Sequence, residues 1–497
     1  MEKETVTLGI DLGTTNTVVS FWNPLTKQLE SLDPIRSCAQ FLDGKEKACV
    51  DPQMKGVALC PKRLIGKEFT SPEQYSPIIF GLPVCNVKVE SGNGQSCDRY
   101  IPGYVVSENP EKKVTATYVD TLILKHVKNE VQKILGDHYT VDRAIITIPV
   151  AFSWEQRMET YRAAVEAGFK NVSLQQEPVM AAYFYCTERN LTNKQILVYD
   201  FGGGTFDLCL IRFADNCFSV LKFDGDDYLG GEDITCTIAS QIEDQLDRMY
   251  RNWRKSLSPK QIANVERAIR RKSEEIKCNL RTLDQMEVEA REFFIHWDKT
   301  FVLDLRDTKI IQVVEHSLTI TNSLLNGESV DAVLMVGGTS DFAIVRTKLQ
   351  EQFQEKLVTD LNPKSCVAMG AAKFGHENPV FETKIGGMVV KKVLGRSIGW
   401  KGSNMANHYI AKEGDTLPKE GEMKFRLTKD DDHITTKLIE GEDTMIKELQ
   451  IKLDKVYPMN TQFLLKLSVN EDLLIYYEVV ILNKNRDTLQ MGMVKLE

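Results

Sequence analysis

The chain is poor in the signatures that usually announce a function. Its eleven cysteines never fall in CxxC spacing, and an odd number cannot all pair. A disulfide scaffold is excluded, and the thiols are expected to act as small buried hydrophobes in a reducing compartment. Basic charge is in deficit: 62 Lys and Arg stand against 70 Asp and Glu, a formal charge of −8. No excess remains to neutralise a nucleic-acid backbone. No apolar run approaches the roughly 18 residues of a membrane span. "MEKETVTLGID" enters a strand without an apolar signal core, and "MVKLE" is no retention signal. A cytoplasmic protein that binds neither nucleic acid nor membrane is expected. GxxxxGK[ST], HExxH and GxSxG are missing, which removes P-loop, zincin and serine-hydrolase chemistry. The seven histidines are isolated and support neither a metal cluster nor a triad. There is no repeat of solenoid period and no low-complexity tract.

What is present is a globular composition, 42% hydrophobic and 27% charged, in 497 residues. That length exceeds a single core and predicts two to four domains. Strand-like runs such as "VTLGID" and "SVLKF" alternate with helical patterns such as "YVDTLILKHVKNEVQKIL" and "PKQIANVERAIRRKSEEIKCNL" as far as about Gly375. The alternation predicts α/β layers. After "GHENP" the period becomes two: "EMKFRLT" puts Met423, Phe425 and Leu427 on one face and Lys424 and Arg426 on the other. The expected division is an α/β part over 1–383, a linker over 384–393 and an all-β sandwich over 394–497. An edge strand is the alternative for the linker segment.

"VYDFGGGTFDLCL" is the most telling stretch. Three glycines weaken a hairpin and serve no folding purpose, and carboxylates bracket them. "LGIDLGTTNTVV" near the start follows the same plan: a strand ending in Asp, then a turn of small residues. Two such hairpins predict two related subdomains facing one cleft. Bare backbone N–H groups in these turns suit phosphate oxygens. Asp11 and Asp200 would repel phosphate unless a hard cation such as Mg²⁺ lay between. The plainer alternative is a pair of ordinary Gly-rich turns. A third element, "DAVLMVGGTSDFAIVRTKLQEQF", reads as a strand, the Gly337–Gly338 pair and a helix opening near Ser340.

With these elements together the chain resembles the heat-shock-70 chaperone family. "GIDLGTTNTVV", "PKRLIGKEF", "AIITIPVAFSWEQR", "QQEPVMAAY", "VYDFGGGTFDL", "DDYLGGEDI", "AVLMVGGTSDF" and "LNPKSCVAMGAAKFG" carry the resemblance in order along the chain. It implies an actin-like two-lobed ATPase of duplicated ribonuclease-H-like subdomains, followed by a β-sandwich of substrate-binding type. ATP or ADP with Mg²⁺ is the implied cofactor. By resemblance, Asp11, Asp200 and Asp207 organise the metal. Gly13, Thr14, Thr15, Asn16, Gly202, Gly203, Gly204 and Thr205 cradle phosphate. Lys62, Glu177, Asp200 and Thr205 serve hydrolysis. Gly230, Gly231, Glu274, Lys277, Gly337, Gly338 and Thr339 form the nucleoside pocket. Taken alone, Lys62 reads as a surface lysine. Pro149 and Arg157 match the family's interdomain switch. Trp400, Ser403 and Ile434 fall by position at the peptide groove, with sandwich core as their alternative.

The departures are equally specific. Cys278 and Asp341 stand where arginines stack on adenine in many family members, Arg281 replaces a base-contacting serine, and Lys364 replaces an acid. Altered nucleotide affinity or base selectivity is expected. Lys391 and Lys392 invert the acidic charge usual in the linker, Ser173 and Gln176 alter the J-domain contact, and the sequence ends at Glu497 without the family's helical lid. The implied function is an ATP-dependent chaperone controlling extended apolar peptides. J-domain proteins, exchange factors or a full-length chaperone are the implied partners. A co-chaperone or exchange factor that binds no client is the alternative, and a sugar-type kinase on the same scaffold is a weaker one.

Overall fold

The computed structural model describes residues 3–493 apart from 53, 69–81, 90–98, 109–110, 216, 280–284, 306–307, 379–383, 386–387, 392–393, 402–406, 442–443, 471–474 and 483–487. Arg281 and Ser403 lie outside the described residues.

The sequence around Asp11 builds the first sheet. Glu4–Leu12 turns back on Asn16–Asn23, which pairs with Gln28–Ser31; on its other side Glu4–Leu12 runs parallel to Tyr139–Ile148, and that strand parallel to Asn171–Gln176. The same order recurs around Asp200. Lys194–Phe201 turns back on Phe206–Ala214, which pairs with Cys217–Asp226; its other side runs parallel to Ala332–Val336, then Leu357–Val358. The two hairpins thus occupy equivalent places in two lobes of one plan. Leu197, Val198 and Tyr199 are successive and all fully buried, as a sheet covered on both faces requires.

Two helices join the lobes. Glu177–Glu188 follows the last parallel strand of the first lobe, and Cys366–Glu377 comes after that of the second. They pack on each other so closely that a Cβ on Gly370 would lie 2.0 Å from the Met180 carbonyl oxygen. A Cβ on Gly9 would lie 2.2 Å from Ala372 N, so glycine sets both approaches. The expected long helices form at Ala116–Leu135, capped by the Thr115 hydroxyl on the Tyr118 N–H, and at Pro259–Asn279. The helix after the Gly-Gly turn opens at Ala343, later than expected. The Ser340 hydroxyl accepts from Phe201 N–H and donates to the Val336 carbonyl, which holds Thr339–Asp341 in a 3₁₀ turn first.

Beyond residue 394 two antiparallel four-stranded sheets form a sandwich. One runs Asn407–Ala411, Ile398–Lys401, Asp431–Glu440, Thr444–Tyr457; the other Lys419–Arg426, Gln462–Val469, Ile475–Ile481, Thr488–Met493. Along Lys419–Arg426 burial alternates residue by residue, Met423 and Phe425 inward and Lys424 and Arg426 outward, the predicted period of two. In the segment read as a linker, Met388–Lys391 extends the second lobe's sheet, running parallel to Cys217–Ser219. Lys384–Ile385 pairs antiparallel on its outer side and forms the edge.

Candidate functional site

The two Gly-rich turns meet across the cleft. A Cβ on Gly203 would lie 2.3 Å from Thr15 Oγ1, and one on Gly204 would lie 2.9 Å from Thr14 Cγ2. Two of the three glycines, Gly203 and Gly204, thus let the lobes touch, while Gly202 meets only Thr205 of its own turn. Gly202 N–H donates to the Thr205 carbonyl at 3.0 Å and closes the turn. The second lobe braces it from behind: Gly231 N–H and Glu232 N–H donate to the carbonyls of Gly202 and Gly203 at 3.1 and 2.7 Å. Thr339 Oγ1 also donates to the Gly202 carbonyl, at 2.8 Å.

Between the lobes lies a cavity of about 640 Å³. Asp11, Gly13, Thr14, Thr15, Asn16, Lys62, Glu177, Asp200, Gly202, Gly203, Thr205, Glu274, Lys277, Gly337, Gly338 and Thr339 all line it. Gly204, Asp207, Gly230 and Gly231 are not among its lining residues. Asp207 sits opposite Asp200 across the strand pair and accepts from Thr205 Oγ1 at 3.0 Å. A Cβ on Gly230 would lie 2.7 Å from Gly203 backbone atoms, and one on Gly231 2.4 Å from Thr339 Oγ1. Gly337 has φ +83°, and a Cβ there would lie 2.5 Å from the Phe201 carbonyl oxygen and 2.7 Å from Asp200 Oδ1, so glycine is required.

Acid is concentrated at the cavity wall and, with Asp207, just behind it. Burial and then the Glu177 charge push Asp11 and Asp207 up to about 7. Burial, Glu177, Asp207 and Asp11 raise Asp200 well above the usual carboxylate range. Lys62 answers with a single cation, its Nζ 2.6 Å from Glu177 Oε1. Burial works to lower the Lys62 pKa, but Glu177 and Asp11 outweigh it and keep the ammonium charged. Four carboxylates around one ammonium are short of positive charge, and their oxygens are the hard donors that Mg²⁺ prefers. The residues present fit the ion.

Several residues that tie the lobes and the sandwich together carry no local signal in the sequence. Arg63, beside Lys62, is buried and reaches from the first lobe to the Gly204 carbonyl. Arg36 pairs with Glu274 at 3.1 Å across the mouth of the cleft. Glu440 of the sandwich accepts from Trp154 N–H at 2.9 and 3.1 Å and pairs with Arg157 at 3.4 Å. Only the Gly-rich spacing carried a local signal; these arginines and Glu440 have none. Pro149 lies buried in the turn that leads to Trp154, where a Cβ on Gly395 would lie 1.9 Å from the Val150 carbonyl oxygen. Trp400 and Ile434 are 7% and 4% exposed, part of the hydrophobic core, and Trp400 stacks on His408. Cys278, Asp341 and Lys364 all line the cavity. Among the described residues, no helix is long and apolar enough to cross a membrane.

Residues 7–461 match the family model described as Hsp70 protein. Two curated relatives are the chaperone protein HscA homologs of Rickettsia typhi (strain ATCC VR-144 / Wilmington) and Rickettsia prowazekii (strain Madrid E). This chain is 27% identical to the first over 375 residues and 27% to the second over 380. Each alignment covers 75% of this chain and 57% of the relative, so the chain spans little more than half the length of either.

Proposed function

This chain belongs to the Hsp70 protein family, and from that premise we propose that it is an ATP-dependent chaperone whose nucleotide lies in the cleft between the lobes. The single observation that carries the proposal is the cation-deficient carboxylate cluster beneath two Gly-rich turns that touch across the cavity. Backbone N–H groups of the turns, with the hydroxyls of Thr14, Thr15 and Thr205, bind phosphate oxygens. Asp11, Asp200 and Asp207 would hold Mg²⁺, which supplies neutralisation of phosphate charge when bound. Lys62 adds the remaining positive charge at the terminal phosphate. Glu177, already hydrogen-bonded to Lys62, orients the attacking water and takes its proton. Such a reaction needs position and field rather than a covalent intermediate.

The working division is an ATPase part over 1–383, a connecting segment over 384–393 and a β-module over 394–497, in a cytoplasmic protein. Nucleotide state reaches the β-module through Pro149, Arg157 and Glu440, the last two sharing a buried ion pair. Extended apolar peptides are the proposed clients, with J-domain and exchange factors as partners. A second reading, a co-chaperone that acts on another chaperone, is favoured by one observation: Trp400 and Ile434 are built into the sandwich core.

Single-turnover hydrolysis tests the main reading. The intact chain should hydrolyse ATP with Mg²⁺, and Lys62→Ala should slow it by about 100-fold or more while calorimetric binding persists. A chain that binds no ATP overturns the reading.

A further inference from the structure

Besides the two hairpin turns, two helical segments line the cavity, and a base whose phosphates are held at the turns would lie against them. Glu274, Lys277 and Cys278 project from one face of Pro259–Asn279, at the i, i+3, i+4 spacing that puts side chains together. The same cavity is lined by Asp341 from the 3₁₀ turn and Arg346 from the first turn of Ala343–Phe353, with Lys364 beside them. A long side chain on a helix leans toward the helix N-terminus, so Arg346 lies back over Thr339–Asp341 at the cavity edge. Its Nε is 3.6 Å from Asp341 Oδ1, while Lys364 Nζ is 3.8 Å from Asp341 Oδ2.

The other cations lining this cavity are occupied or lack a flat face. Lys62 is paired with Glu177 at 2.6 Å, and Lys277 Nζ donates to the Gly231 carbonyl at 3.2 Å. Lys364 is a point charge. Arg346 is, among the described lining residues, the planar cation, and a guanidinium offers its face to an aromatic ring in a way an ammonium does not. Cys278, which also lines the cavity, gives a small polarizable surface rather than a second cation.

We propose that Arg346 is the residue that stacks on the base of the bound nucleotide, and that Asp341 is its positioning residue, pinning the guanidinium at the cavity wall. The inference rests on the nucleotide reading above and adds to it the group that grips the ring. It also explains how Asp341 can face a base: its charge is answered by Arg346 and Lys364 rather than presented bare to the ring.

The test is ADP binding to the full chain, measured by calorimetry with Mg²⁺ present, for the unaltered protein, Arg346→Ala, Arg346→Lys and Asp341→Ala. Thermal unfolding confirms that each variant is folded. A stacking contact of this kind corresponds to roughly 2- to 30-fold in affinity. Arg346→Ala should lose that factor, Arg346→Lys should recover little of it, and Asp341→Ala should lose less and add nothing in the Arg346→Ala background. Unchanged affinity in Arg346→Ala overturns the assignment, and so does full recovery in Arg346→Lys, which would make the contact one of charge alone. If the unaltered chain binds no ADP, the nucleotide reading itself fails, and the assignment with it.

Discussion

Glu440 and Arg157 are 283 residues apart in sequence and form an ion pair at 3.4 Å in which each side chain is 1% exposed. The same carboxylate caps the Trp154 N–H, so the β-sandwich is fixed to the start of the first lobe's helix Trp154–Glu166. Arg157 also donates to the Phe152 carbonyl at 2.6 Å. Burial disfavours both charges, raising Glu440 and lowering Arg157, and each is held by the other's field.

Removing one partner of that pair should cost more than removing both. Glu440→Ala leaves a buried guanidinium uncompensated and should destabilise the chain by about 3 kcal/mol or more. Adding Arg157→Ala should restore part of the loss. Chemical denaturation of the two single variants and the double variant measures the coupling; additive losses would rule out the pair as a latch.

Asp120, on Ala116–Leu135, is 1% exposed with neither carboxylate oxygen hydrogen-bonded, and burial pushes it up to about 8 from an ordinary 3.8. Between those two values the folded state holds a proton that the unfolded state releases. Stability should therefore fall as pH rises from about 4 to about 8, by at most roughly 1.4 kcal/mol per unit, and level off above. Asp120→Ser, whose hydroxyl can bond back along the helix, should remove Asp120's share of that slope and leave the share that Asp11, Asp200 and Asp207 contribute. Urea midpoints across this pH range provide the check.

Asp200 carries a similar cost for a functional reason. Its raised pKa means that the protein without ligand pays for ionising it, a cost that grows with pH above the ordinary carboxylate value. Asp200→Asn should raise the melting temperature of the ligand-free chain, most clearly above neutral pH. It should also abolish the further stabilisation that ATP with Mg²⁺ gives the unaltered protein. Thermal scans with and without ligand separate the two effects.

Gly230 tests the brace beneath the phosphate turn. A Cβ there would meet Gly203 C and O and Gly204 Cα, each at 2.7 Å, and backbone cannot swing aside as a side chain can. Gly230→Ala should displace the 202–205 turn and weaken ADP binding at least tenfold, with a modest loss of stability. Calorimetric binding equal to that of the unaltered chain would show that the turn is not held from behind.

Much of the fold was legible because its causes are local. The strand, turn and strand around Asp11 and around Asp200 follow from apolar runs broken by small residues. The helix at Ala116–Leu135 follows from its periodicity, and the sandwich from a period of two at Met423 and Phe425. Lys62 was not legible: its neighbours look like a surface turn, and it is the cleft that buries it against Glu177. The segment at Met388–Lys391 was open between linker and edge strand, since a short apolar run takes its pairing from whatever sheet edge it meets.

The sequence by itself determined the two Asp-ended hairpins, the glycines that let them approach one another, and the change of period that sets off the sandwich, because each depends on backbone conformation and near-neighbour pattern. Tertiary structure decided which charges answer which. Glu177 with Lys62, Glu440 with Arg157 and Asp341 with Arg346 and Lys364 arise only once lobes, helices and sandwich are packed. Electrostatic partnership depends on distance and burial in space, and neither is encoded at any single position of the chain.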